Sequence, residues 1–356
     1  MSAEVSAVVV NHDGQRTLNR TIEALLGQTL ELQRIVVVDN GSSDDSLEKL
    51  EIAYPDVDIV RLGENLGLGA GRNAGIARAD TRWVVTVDDD IYLERDAVER
   101  LVEAAQTTGA AVTCPRFVLL PERQTLQADG AEAHFAGLLT LRRGFSLLDD
   151  APDERVEVGA ASGGCYCIDR RTLPDAELFD ELYFFYMEDL EFSLRVRAAG
   201  HTIVFDSAAV GRHDRGQGEV GLAFRGEGEY PRRRAHLTLR NHWLTIAIHY
   251  QARTLWVLAP ALLLYEIASF AVIIRRGWGG EWLRASTWMW AHRAQIRERR
   301  ARAAAARKRP DGALLAGGPL PFAPGFLRSP LQRVLAWVLS SSLDLYWRLA
   351  RAWIAR

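Results

Sequence analysis

Along the first hundred residues, short apolar runs alternate with segments whose apolar positions recur at helical spacing. Val5–Val10, Arg34–Val38, Val57–Leu62 and Trp83–Val87 read as strands. Leu18–Leu30, Ser46–Ile52 and Gly69–Ala79 read as the helices between them, and Arg95–Thr107 adds a fourth. Strands that are apolar almost throughout, each followed by a helix, predict a mostly parallel sheet covered on both faces. Folds of this kind hold ligands beyond the carboxyl ends of their strands. Asn11, Asp39 with Asn40, and Asp88 to Asp90 all fall at such ends. The pattern therefore points to one site before any motif is considered.

Residues 116–158 are less regular and read as antiparallel strands and loops flanking an acceptor groove. Gly159–Arg171 returns to strand character after a Gly-rich turn. Phe184–Ala199 reads as a helix with Glu188 and Asp189 in its first turns, and Ile203–Phe205 as a further short strand. A carboxylate near a helix start is stabilised by the helix dipole, which favours its ionised form. Beyond Tyr230 the character changes to helices: His236–Ile248, the apolar stretch Leu255–Ile274, and the amphipathic Leu331–Trp353. The expected organisation is an α/β domain over 1–230 and a helical region over 231–356.

Composition narrows the partners. The chain has 356 residues, 48% of them hydrophobic, enough for a sizeable core. Its formal net charge is only -3, so no whole-chain field draws it to nucleic acid. Cys114, Cys165 and Cys167 form no disulfide framework and are expected to be reduced and buried. The first ten residues read as a strand rather than a secretory leader, which gives a cytoplasmic expectation. The basic residues cluster in Arg293–Arg309 (RAQIRERRARAAAARKR), after Trp278, Trp282, Trp288 and Trp290. Leu255–Ile274 is about long enough to cross a bilayer, although Pro260 and Glu266 count against a clean span. Three readings stay open: packing in a core or a homo-oligomer, contact of 255–309 with an inner-membrane surface, or a span.

The chemistry is carried by two acidic clusters. Val84–Ile91 reads VVTVDDDI, and Tyr183–Arg195 reads YFFYMEDLEFSLR. On an extended end, Asp88 and Asp90 point one way and Asp89 the other. The first two could hold Mg²⁺ or Mn²⁺ on a diphosphate, with Asp89 making structural hydrogen bonds. Asn65–Gly75 (NLGLGAGRNAG) offers glycines for close backbone approach and Arg72 for a phosphate, or simply a turn that caps a helix. No Walker-type phosphate loop occurs, which weakens an ATPase or kinase reading. Asp39–Ser42 is able to bond a base or ribose, or to form an Asn-Gly turn with a Ser cap. Asp189 or Glu188 would suit a general base. Glu191 and Arg195 are i,i+4 neighbours able to pair along the helix. His213 is a candidate third metal ligand.

Taken together, these segments resemble family 2 inverting glycosyltransferases of the GT-A fold, in the branch with bacterial rhamnosyltransferases and galactofuranosyltransferases. The resemblance runs from Val8 to about His213 and rests on ordered elements: VVVN at 8–11, VVVDNGSSD at 36–44, NLGLGAGRN at 65–73, the aspartates at 88–90, GAASGGCYCIDRR at 159–171 and FDELYFFYMEDLEFSLR at 179–195. It implies a Rossmann-like, mostly parallel central sheet flanked by helices, followed by the C-terminal helical region. It also implies a donor site lined by Asn11, Asp39, Asn65, Gly67, Arg72, Asn73 and Asp88, with Asp39 on the nucleotide base. The cation, Mn²⁺ or Mg²⁺, would lie on Asp88, Asp90 and His213. Asp189 would be the catalytic base, and Gly163, Gly164, Glu188, Glu191 and Arg195 would shape the acceptor site. Many relatives carry Asp where this chain has Glu191, and the 159–164 loop with Cys165 and Cys167 also departs from the common pattern.

The implied reaction moves a sugar from a UDP-, dTDP- or GDP-sugar to a glycan or polyprenyl-linked acceptor in cell-surface polysaccharide synthesis. A nucleotidyltransferase and a non-catalytic glycan-binding protein are the competing classes. A processive synthase is disfavoured, because no Q-x-x-R-W type motif occurs.

Overall fold

The computed structural model describes residues 4–121, 124–175, 178–215, 231–322 and 324–355. The chain divides into two compact units. The first comprises Met1–Ala131, Leu141–Ser193 and His201–Arg215; the second comprises Glu132–Thr140, Leu194–Gly200 and Gly216–Arg356. The expected boundary at 230/231 abuts residues 216–230, which lie outside the described residues, and the second unit also takes in two short segments from earlier in the chain.

In the first unit the expected repeat is β1 (Val5–Asn11), α1 (Leu18–Leu26), β2 (Arg34–Asp39), α2 (Ser46–Ala53), β3 (Asp58–Arg61), α3 (Leu68–Arg78) and β4 (Trp83–Asp88). The chain continues through β5 (Ile91–Leu93), α4 (Ala97–Thr108), β6 (Val112–Leu119) and β7 (Leu126–Ala128). Strands β8 (Ala131–His134) and β9 (Leu138–Leu141) form a separate two-stranded sheet. Then come β10 (Arg155–Glu157), β11 (Cys165–Asp169), α5 (Glu188–Ala198) and β12 (Ile203–His213).

The main sheet runs β10-β12-β6-β11-β4-β1-β2-β3, with β5 on β12 and β7 on β6. β1 pairs in parallel with β2 and β4, whereas β11 enters antiparallel between β4 and β6. Every residue of β1 is buried, as a central parallel strand requires. Its alternate side chains serve two layers. Val5, Ala7 and Val9 join Ile22 and Leu25 of α1 and Leu101 of α4 in one core. Val8 and Val10 face α3, where a Cβ on Gly75 would come within 2.2 Å of Val8 and one on Gly71 within 2.6 Å of Val10. The Gly-rich segment is therefore mostly the body of a helix, and these two glycines set its distance from the sheet. Register aligns the strand ends: Asn11 stands opposite Asp39, and Val10 opposite Asp88.

Three of the boundary differences in the first unit have a clear local cause. α1 stops at Leu26: Gly27 N–H closes the last helical bond onto Glu23, and Gln28 N–H tightens back onto the Leu25 carbonyl instead of continuing the helix. β12 runs eleven residues rather than three, because a register shift between Asp206 and Val210 lets it stay paired with β6 as far as His213. α5 begins at Glu188 rather than Phe184. Phe184, Tyr186 and Met187 have φ of 62°, 66° and 64°, a left-handed backbone that no right-handed helix can contain. Cys114, Cys165 and Cys167 are buried free thiols.

The second unit contains α6 (Arg232–His249), α7 (Ala252–Arg275), α8 (Gly279–Ala291), α9 (Arg293–Ala306), α10 (Asp311–Leu314) and α11 (Pro330–Ala350). Phe135 stacks on Trp347 with ring centroids 5.0 Å apart, and the Tyr250 hydroxyl donates to the Phe135 carbonyl at 2.9 Å. α11 opens with a capping box: Ser329 accepts from the Gln332 backbone while the Gln332 side chain accepts from the Ser329 backbone. Glu266, in mid-α7, accepts from His242 at 2.9 Å and from the Trp243 indole at 3.2 Å, so the charge in the apolar stretch is paired within this unit.

Candidate active site

The sheet gathers the first acidic cluster at the ends of β1, β2 and β4. Asp88 donates its backbone N–H to the Gly164 carbonyl at 2.8 Å. Its side chain, a quarter exposed, accepts from Arg72 at 2.8 Å. Arg72 itself is only 1% exposed, and its other terminal nitrogen lies 3.5 Å from Glu188. The guanidinium also faces the rings of Tyr166 and Phe179, each 5.1 Å from the centroid. Arg72 thus joins the two acidic clusters of the sequence and is shut off from solvent.

Asp189 is fixed by two backbone donors. Gly163 N–H reaches Oδ2 at 3.0 Å, and Leu190 N–H reaches Oδ1 at 2.8 Å. The left-handed turn 184–187 delivers Glu188 and Asp189 at this point. It is tied down by the Phe184 carbonyl, which accepts from Leu68 N–H at 2.7 Å. Gly67 makes that approach feasible: its φ is 95°, and a Cβ there would lie 2.4 Å from the Phe184 oxygen. Clustered left-handed non-glycine residues are costly and concentrate at functional sites.

The helix dipole does not decide the protonation of this pair, contrary to expectation. Burial, then the neighbouring Asp189 charge, pushes the Glu188 carboxyl up to about 8, against the pull of Arg72. Burial also raises Asp189, and the Leu190 and Gly163 N–H groups only partly offset it. Glu188 therefore keeps its proton near neutral pH.

A stability prediction follows from the sign of this shift. Folded Glu188 binds its proton more tightly than the unfolded residue, so its contribution is complete below about 4.5 and is lost as pH rises through about 8. Glu188→Gln keeps the neutral shape. Its unfolding midpoint in urea is expected to fall less than the wild-type midpoint between pH 5 and pH 9. Parallel curves for the two proteins would contradict a buried, protonated Glu188.

Among the described residues, no three His, Cys, Asp or Glu side chains gather as a ready ligand group. The expected set of Asp88, Asp90 and His213 resolves into two pairs: Asp88 with Arg72, and Asp90 with His213 Nε2 at 3.3 Å. His213 Nδ1 lies 2.6 Å from Gln127 Oε1. That oxygen only accepts, so Nδ1 carries the proton, and in the neutral ring Nε2 turns its lone pair toward Asp90. A lone pair facing a carboxylate is the arrangement a bound cation stabilises, and a ligand histidine characteristically donates its other N–H to such a partner. Gln127 lies in the irregular stretch, where no sequence pattern marked it. Asp89 is fully buried and accepts from His12 N–H at 3.3 Å, the structural role expected of it.

Several residues expected in the donor site are held inside the fold. Asn11 is fully buried and donates to Ser42 and Ser46, each at 2.9 Å. Asn73 donates to the Phe179 carbonyl at 2.9 Å and accepts from its N–H at 2.9 Å, pinning the loop that leads to Glu188. Asn65 accepts from Gly67 N–H and from Asn40. Asp39 is 9% exposed and accepts from Ser42 N–H at 3.1 Å. Of the expected acceptor residues, Gly163 and Gly164 lie against Asp189 and Asp88, whereas Glu191 is buried and Arg195 partly exposed one turn later on α5. Tyr166 was unmarked in the sequence. It lies over Arg72, and its buried hydroxyl has no partner among the described residues.

A mixed α/β sheet flanked by helices, with carboxylates at the parallel strand ends, places the first unit in the GT-A class of glycosyltransferase folds. A structure of GalNAc-T7 with UDP, GalNAc and Mn²⁺ shares that fold, with a TM-score of 0.56 and 17% identity over 73% of this chain and 51% of the other. Residues 6–151 match the model of glycosyl transferase family 2. The chain is 36% identical over 111 residues to succinoglycan biosynthesis protein ExoO of Rhizobium meliloti, covering 31% of this chain and 32% of that protein. It is 25% identical over 233 residues to N-acetylglucosaminyl-diphospho-decaprenol L-rhamnosyltransferase of Mycobacterium tuberculosis, covering 59% of this chain and 75% of that enzyme.

Proposed function

We propose that the chain transfers a sugar, with inversion, from a nucleotide-diphosphate sugar to a hydroxyl of a glycan or polyprenyl-linked acceptor. The observation that carries this reading is Asp189, held by the Gly163 and Leu190 N–H groups beside a proton-bearing Glu188. A carboxylate oriented by fixed donors, with its neighbour neutral, is suited to accept one proton. The likeness to a diphospho-decaprenol rhamnosyltransferase supports a polyprenyl-linked acceptor.

Asp189 takes the proton from the acceptor hydroxyl. The acceptor oxygen attacks the anomeric carbon from the face opposite the diphosphate, and the bond from that carbon to the diphosphate oxygen breaks with its electron pair leaving on the nucleotide. No acid is required at the leaving oxygen, unlike in glycoside hydrolysis, because a diphosphate is already a good leaving group. Arg72 is a positioning residue: it aligns Asp88 with Glu188 and holds down the pKa of the pair. Asp90 and His213 would hold a divalent cation, and their mixed oxygen and nitrogen donors suit Mn²⁺ at least as well as Mg²⁺. Bound there, the cation supplies positive charge to the diphosphate. Asp39, at the end of β2, is assigned to the nucleotide base.

A screen of UDP-, dTDP- and GDP-sugars with Mn²⁺ or Mg²⁺, read by release of nucleoside diphosphate in the presence of acceptor, tests the reading. One donor is expected to be consumed. Consumption of a nucleoside triphosphate with a sugar phosphate would identify a nucleotidyltransferase instead, and glycan binding without donor turnover would identify a binding protein.

A further inference from the structure

The second unit exposes an apolar surface that neither the fold nor the proposed reaction uses. On α7, Trp256, Leu263, Ile267, Phe270 and Ile274 are exposed, and their spacing of 7, 4, 3 and 4 puts them on one face. Thr254, Leu258 and Ala261 are buried on the other side. α11 repeats the design. Leu331, Val334, Leu335, Val338, Leu345 and Leu349 share an exposed face, whereas Ala336, Leu343, Trp347 and Ala350 fill a buried one. The two helices pack together, and the Tyr346 hydroxyl donates to the Val257 carbonyl at 2.6 Å. Soluble monomers rarely leave apolar patches beyond about 300–600 Å² in water, and two such stripes on helices of 24 and 21 residues are a larger feature.

Charge identifies the occupant. Residues 231–356 hold 21 Lys and Arg against 5 Asp and Glu, a formal +16 in a chain whose total is -3. Arg253 and Arg275 bracket the α7 stripe, and Arg333 is exposed in the first turn of α11. Long basic side chains at the border of an apolar face are placed to reach phosphate headgroups while their stems stay in the apolar layer. A second copy of the chain would bring the same positive charge against it and be repelled.

By length and composition α7 could cross a bilayer, and most of it is exposed. Its middle argues otherwise. Glu266 is hydrogen-bonded to His242 and Trp243 of α6, a helix that also buries Arg240, Asn241, Thr245 and His249. A span would carry this polar helix to the bilayer centre, where each unsatisfied charged group is costly.

We propose that α7 and α11 form a monotopic face that lies flat on an anionic phospholipid bilayer, with the flanking arginines on lipid phosphates. The inference rests on the proposed glycosyl transfer only for its purpose, bringing the enzyme to a polyprenyl-linked acceptor.

The test is co-sedimentation of the full chain with phosphatidylglycerol or phosphatidylcholine vesicles, without donor or acceptor, so that a failed donor screen and a failed docking face are separate results. Binding to phosphatidylglycerol is expected to be at least about tenfold tighter, to weaken with salt, and to be released by alkaline carbonate. The combined variant Leu263→Gln, Ile267→Gln, Leu335→Gln and Leu345→Gln alters only exposed positions. It is expected to lose about tenfold or more in vesicle affinity with an unchanged melting temperature. Arg275→Gln with Arg333→Gln provides a second arm and should lose the preference for the anionic vesicle. Equal sedimentation of all variants overturns the proposal, as does retention after carbonate, which marks a span. A dimer in solution that the four-residue variant dissolves overturns it in favour of self-association.

Discussion

Asp189→Asn is expected to lower kcat for transfer on the order of 10²–10⁴-fold, the usual range for removing a general base, while nucleoside diphosphate affinity stays within about twofold of wild type. The substitution is close to isosteric, and the Asn carbonyl oxygen can still accept from Gly163 or Leu190 N–H. What it removes is the group able to hold the acceptor proton. Its effect should therefore fall on kcat and spare donor binding, measured separately by calorimetry. Glu188→Gln gives the contrast. Glu188 keeps its proton near neutral pH, so its amide should retain most of the activity at pH 7. Transfer near the wild-type rate in Asp189→Asn would remove the base assignment.

Arg72→Met is expected to destabilise the fold by about 3 kcal/mol, read as a shift of the urea midpoint without a change in slope. Breaking a buried pair costs more than the pair contributes, because it strands the partner charge. The loss is no larger because Asp88 is a quarter exposed and water can reach it. The loss has a second readout. Arg72 holds down both carboxyl pKa values, so without it the acid limb of the pH–rate profile should move to higher pH. A simple packing defect would leave that limb in place. Arg72→Lys should not rescue fully, since a single ammonium cannot reproduce the fork that spans Asp88 and Glu188.

The sheet was readable because burial on both faces imposes near-continuous apolar strands, and β1 to β4 carry that imprint almost residue by residue. The strand ends followed from it, and with them Asp39 and Asp88. Pattern could not reveal what long-range pairing decides. The helix expected from Phe184 starts four residues late because its left-handed turn is stabilised by Leu68 N–H, more than a hundred residues earlier in the chain. The asparagines expected at the donor, Asn11 and Asn73, satisfy backbone and hydroxyl groups inside the fold. Arg72 looked like a phosphate ligand in a Gly-rich loop, yet it is a buried cation in a helix. Gln127 orients His213 from a strand of three residues, too short to show a period.

The proposed transfer is a single displacement at the anomeric carbon, with Asp189 and the leaving diphosphate on opposite faces of the sugar. Proton NMR of the product from a donor of known anomeric configuration measures this directly. The coupling between the first and second ring protons, or the one-bond carbon–proton coupling where that is small, should report the inverted configuration. Retention would require two displacements and a covalent or ion-paired intermediate, and would contradict Asp189 as the base of an inverting transfer.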